Sequence, residues 1–112
     1  MKAKDIRDLV FLSQDEPRRE TLHESEHLWS EVVCLQGPQR LGPLGDPRSD
    51  ALCTILAGQV AVQVGKGRKR MSQWDSVLVP AGEHLTLANA SDEPSVVLIV
   101  VAPPPEQTGA AG

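Results

Sequence analysis

The sequence predicts an all-β domain, a single sandwich or barrel of short strands. Proline and glycine recur at short intervals, and the stretches between them are of strand length and rich in Val, Leu, Ile and Ala. The chain has 112 residues, enough for one hydrophobic core and too few for two. Its aromatic residues are Phe11, Trp29 and Trp74 alone, so aliphatic and largely β-branched side chains must fill that core.

Taken in order, residues 1–30 read as an N-terminal arm with the first strand or strands, packing on a barrel built from 31–103. Within the arm, 17–30 is rich in Glu, Leu, Arg and His and has no glycine, a composition open to helix. Leu22, Leu28, Val32 and Cys34 alternate with polar neighbours, though imperfectly, and the run leads into V-V-C-L, which favours an extended, charged strand. The clearest strands are 31–35, 51–57, 59–64, 76–79, 84–89 and 95–101. Lys66, Arg68, Lys69 and Arg70 form the one dense basic cluster and read as the solvated tip of a hairpin that protects an edge strand. The end of the chain, 104–112, has nothing to pack and reads as a disordered tail.

Several classes are disfavoured. A net charge of −4, with no phosphate-cradling glycine pattern beside the basic cluster, argues against a nucleic-acid partner. Acidic residues stand where a signal peptide needs an apolar stretch, and no apolar run approaches the roughly 20 residues that span a bilayer. A soluble cytoplasmic protein is expected. Cys34 and Cys53 lie singly inside predicted strands, without C-x-x-C spacing, and read as buried thiols.

The segments A-L-C-T-I-L-A-G-Q-V-A-V-Q-V-G, W-D-S-V-L-V-P-A-G-E-H-L-T-L-A-N and S-V-V-L-I-V-V-A-P resemble the core of small single-domain cupins of the RmlC-like conserved-barrel type. The resemblance covers roughly 31–103 and implies a double-stranded β-helix, the cupin jelly-roll barrel. Such proteins carry the motifs G-x5-H-x-H-x(3-4)-E-x6-G and G-x5-P-x-G-x2-H-x3-N, whose three histidines and glutamate hold one metal. Here Gly58 closes the first motif, and Asp75, Pro80, Gly82 and Asn89 mark the second. The ligand positions differ. Counting back from Gly58 places the histidine pair at Leu44 and Asp46 and the acid at Asp50 or Ala51, while the last histidine falls on Leu85. His84 stands one residue early, on the opposite face of its strand by the two-residue period.

Without its ligands, the barrel implied by the resemblance would need no metal and no cofactor. Its inward residues Leu44, Ala51, Cys53, Ile55, Leu85 and Leu87, with Asn89 as one polar group, would line a small apolar cavity suited to a small molecule. No catalytic residue is assigned: Cys53, the one nucleophile in that set, has no evident activating base. Two further readings stay open, a metal-dependent dioxygenase or isomerase using His84 with Asp46 and Asp50, and a structural or regulatory dimerisation module. His23 and His27, in H-E-S-E-H, share the spacing of a zinc-hydrolase motif that works only on a helix. Trp74 stands where the second motif has glycine, over the barrel mouth or in a subunit contact. The resemblance and the apolar 95–101 run favour a homodimer.

Overall fold

A computed structural model describes residues 1–105, in which nine strands follow a short 3₁₀ turn at Ile6–Leu9. In chain order they are β1 (Arg18–Glu24), β2 (Trp29–Leu35), β3 (Arg40–Leu44), β4 (Asp50–Ala57), β5 (Gln59–Val64), β6 (Gly67–Ser72), β7 (Ser76–Val79), β8 (Leu85–Asn89) and β9 (Ser95–Ala102). They form two antiparallel sheets, one in the order β1-β2-β9-β4-β7 and one in the order β3-β8-β5-β6. The sheets face each other as the double-stranded β-helix expected above.

Strand periodicity decides what fills the space between them. Across the larger sheet, Val79, Ala51, Val101 and Trp29 align in one row, and Val77, Cys53, Ile99 and Glu31 in the next. Val60 and Val62 of β5, Met71 of β6 and Leu85 and Leu87 of β8 complete the core from the smaller sheet. β2 is buried on both faces because Val32 and Cys34 pack outward, under Leu22, Ile6 and Leu9. That second cluster is what the arm covers.

The arm is more fully part of the barrel than its sequence suggests. Residues 17–30 contain all of β1 and the start of β2, so the boundary set at residue 30 falls inside a strand. β1 carries a bulge between Thr21 and Glu24, where the Ser30 hydroxyl accepts from the His23 amide at 3.0 Å and donates to the His23 carbonyl at 3.1 Å. The basic cluster is also re-placed. Lys66 lies in the β5–β6 turn, but Arg68, Lys69 and Arg70 run along β6, an edge strand. β3 and β6 were not foreseen, since glycine and proline in one and charge in the other mask their periodicity. Of the tail, Pro104 and Pro105 are half-buried, and 106–112, read from sequence as disordered, lie outside the described residues.

Two backbone positions bear on the motifs. Gly58 has φ +79°, and a Cβ there would lie 2.5 Å from the Pro94 carbonyl oxygen, so the turn from β4 to β5 requires glycine. Trp74 has φ 77° at the position where the second motif has glycine, a strained conformation for a bulky residue.

Candidate functional site

One end of the barrel opens into a cavity of about 90 Å³ to which seven of the nine strands contribute. Trp29 of β2, Ala51 of β4, Val79 of β7, Leu85 of β8 and Ile99 and Val101 of β9 form its apolar walls. Leu44, Gly45 and Asp46 close one side, and Pro105 packs over another. Pockets for drug-sized ligands run from roughly 300 Å³ upward, so this one has room for several waters or one small molecule.

The cavity holds a charge pair that the sequence did not disclose. Glu31 shares the inward face of β2 with Trp29, Val33 and Leu35, and its side chain is only 2% exposed. Arg19 of β1 donates to it through Nε, 2.7 Å from Oε1, and through Nη2, 2.8 Å from Oε2. The fork geometry satisfies both carboxylate oxygens at once. That hydrogen-bonded carboxylate raises the Arg19 guanidinium above its ordinary value, against the opposing effect of burial. The signal in the sequence was a single acid among large apolar residues two apart, W-x-E-x-V-x-L, on a strand whose inward face should be apolar.

The residues assigned from sequence separate into two levels. Leu44, Ala51 and Leu85 line the cavity, as does Asp46. Cys53, Ile55 and Leu87 do not: they lie deeper, fully buried in the packed core. Asn89 shares the face of Leu85 and Leu87, but four residues at roughly 3.3 Å each carry it to the far end of the barrel. There its side-chain amide donates to the carbonyls of Gly37, Ser91 and Glu93, and its carbonyl accepts from the Ser95 hydroxyl. It ties loops together and leaves the cavity without the polar group expected of it.

The possible metal ligands are dispersed or engaged. His84 is exposed, whereas Leu85 is buried in the cavity wall, so the imidazole required by the metal-dependent reading faces away. Asp46 accepts from the Arg48 amide at 2.8 Å, and its carbonyl accepts from the Gly82 amide at 3.0 Å. Asp50 accepts from the Ala81 amide at 2.9 Å and so holds the Pro80–Glu83 turn, in which the Glu83 amide returns to the Pro80 carbonyl. His23 lies in β1 and His27 in the turn after it, so they do not share a helix face. Among the described residues, no three His, Cys, Asp or Glu side chains converge. With leucines at two ligand positions and Glu31 held by Arg19, the residues present do not fit a cupin metal.

Trp74 is 76% exposed and takes no part in the cavity. Cys34 and Cys53 are free and buried. Burial raises the Cys34 thiol above its ordinary value and pushes Cys53 up to about 12, which makes it inert as a nucleophile near neutral pH.

The chain matches the model of the cupin domain family over residues 31–101. Among solved structures, it is similar to TT1209 from Thermus thermophilus, with 26% identity and a TM-score of 0.88 over 94% of this chain and 100% of that one. The conserved SPY1581 protein of unknown function from Streptococcus pyogenes is 28% identical, with a TM-score of 0.74 over 92% and 88% of the two chains. An RmlC-like cupin protein from Desulfovibrio desulfuricans shares the fold at 19% identity, with a TM-score of 0.82 over 93% and 98%. No curated protein matches the chain.

The Cys53 thiol gives a prediction with a definite sign. Its folded pKa is raised from 9.0 to about 12, so between those values only the unfolded chain can ionise it. Stability is fully present below pH 9 and falls as the pH rises toward 12. Between pH 8 and 10 in urea denaturation, the wild type should lose about 1 kcal/mol more than Cys53→Val. Equal losses in the two proteins would refute the placement of the thiol.

Proposed function

This chain belongs to the cupin family, and from that premise we propose that it is a non-catalytic homodimeric barrel that holds one small, largely apolar molecule at its mouth. The observation that carries the reading is the cavity itself. Its walls are aliphatic and aromatic, and the family's ligand positions within it are occupied by Leu44, Asp46, Ala51 and Leu85. Glu31, the buried one of the carboxylates that line it, has both oxygens engaged by Arg19, so it supports neither metal binding nor proton transfer. What the cavity retains is shape, a largely hydrophobic surface, the fixed Arg19–Glu31 dipole, and Asp46 and Glu83 in its lining. A volume of about 90 Å³ selects fragments of a few heavy atoms over nucleotides or sugar phosphates. Two free buried thiols suit a reducing compartment such as the cytoplasm. No helix among the described residues is long and apolar enough to cross a membrane.

The experiment is an NMR titration with linear and branched alcohols, amines and carboxylic acids of about four to seven heavy atoms, a range bounded by the cavity volume. Members of one class should produce saturable shifts at Ala51, Leu85 and Ile99, and Ala51→Phe, which fills the cavity, should abolish them. Absence of binding by every compound, or unchanged binding by the filled variant, would refute the reading.

The dimer rests on a different observation. Leu52 and Leu78 are paired directly across β4 and β7 and are 44% and 61% exposed, and Trp74, in the turn that leads into the edge strand β7, is strained and exposed. Backbone strain kept at an exposed aromatic residue points to a contact that uses the ring. Trp74→Gly should raise monomer stability by about 1 kcal/mol and weaken self-association, read by urea denaturation and by light scattering after size exclusion. A variant that assembles as the wild type does would remove Trp74 from the interface.

A further inference from the structure

The outer face of the smaller sheet carries a second feature, remote from the barrel mouth. Register aligns Arg40 of β3, Ala88 of β8, Ala61 of β5 and Arg70 of β6 in one row across all four strands. At the strand spacing of about 4.8 Å, the two arginines start roughly 14 Å apart. Between them the alanines leave a trough, extended by Thr86 in the neighbouring row and bounded there by Arg68, giving an open groove of about 290 Å³.

The charge of this groove is unlike that of the protein. The side chains of Arg40, Arg68 and Arg70 line it and no carboxylate does, in a chain with 15 acidic and 11 basic residues. Arg40 and Arg68 have no acidic partner among the described residues. Arg70 is held by neutral acceptors, the Gln59 side-chain oxygen at 2.7 Å and the Ala90 carbonyl at 2.8 Å, so its position is fixed while its charge stays uncompensated. A basic edge strand alone needs nothing more than solvent. Arg40 is different: it comes from the opposite edge of the sheet, is distant in sequence, and closes the trough on its far side.

The geometry points to a binding site for a compact multivalent oxyanion of the oligophosphate class, seated on Ala61 and Ala88 between the arginine forks. Guanidinium groups match phosphate oxygens in bidentate geometry, and three of them around a shallow floor favour a ligand with several anionic groups over a single one. A nucleic acid is a poorer match, since no aromatic side chain lines the groove for bases to stack on.

Calorimetric titration of the full chain with inorganic tripolyphosphate at low ionic strength tests this, with sodium sulfate as the monomeric control. Tripolyphosphate should bind at least tenfold more tightly than sulfate. Arg40→Gln and Arg68→Gln should each weaken it about tenfold, the loss expected for one charge-assisted contact. Lys66→Gln, which removes the same charge at the hairpin turn outside the groove, should change affinity less than about twofold. All three positions are exposed, and matching thermal melts will show that the fold is intact. No binding at millimolar tripolyphosphate, or equal losses at Lys66 and Arg40, would overturn the site, as would tighter binding of a single-stranded oligonucleotide.

Discussion

The pairing of Arg19 with Glu31 is the constraint on which the barrel mouth depends. A carboxylate in the second inward row of a β-barrel costs several kcal/mol to desolvate unless a cation meets it with good geometry. That cation comes from β1, an edge strand that would otherwise be held by backbone pairing and a few outward apolar contacts. A slip of β1 by one residue would turn Arg19 to the outer face and leave Glu31 uncompensated, so the ion pair selects the register. The bulge sealed by Ser30 lets the strand keep that register while Leu22 still reaches the outer cluster. The pair thus couples the arm to the barrel and fixes what a ligand entering the mouth would meet.

The same constraint bears on why the residues at the mouth do not fit the metal of the family. Glu31 is already balanced by Arg19, and Asp46 and Asp50 bind the backbone of turns that shape the rim. Leu44 and Leu85 then add apolar wall where donors would be. The result is a site whose walls are mainly apolar and whose buried carboxylate is already paired. The outer groove is its electrostatic opposite, with unbalanced positive charge over a floor of small side chains. The two lie on different faces of one scaffold, as expected when function resides in sites placed on a fold and not in the fold itself.

Much of the architecture was legible in the sequence because it rests on short-range rules. Aliphatic runs between Gly and Pro located six strands, and the two-residue period correctly separated Leu85 from His84. Gly58 and the Pro80–Gly82 turn were marked by the motifs of the family resemblance, and backbone chemistry accounts for both. What escaped was set by pairings between distant residues. Arg19 and Glu31 are twelve apart, with no local pattern to link them, and only the inward phase of β2 sets Glu31 apart. Arg40 is separated from the basic cluster by two intervening strands, β4 and β5, so the groove could not be seen. Depth along a strand was also invisible: Cys53, Ile55, Leu87 and Asn89 have the right face but lie below the cavity or at the far end of the barrel.

A double-mutant cycle on Arg19 and Glu31, measured by urea denaturation at neutral pH, tests the central claim most directly. Arg19→Met and Glu31→Leu each remove one partner, and the combined variant removes both. Arg19→Met, which strands a buried carboxylate, should destabilise by about 3 kcal/mol, and the double variant should recover most of that loss. Single effects below about 0.5 kcal/mol that simply add would mean that the pair is an ordinary surface contact and does not organise the mouth.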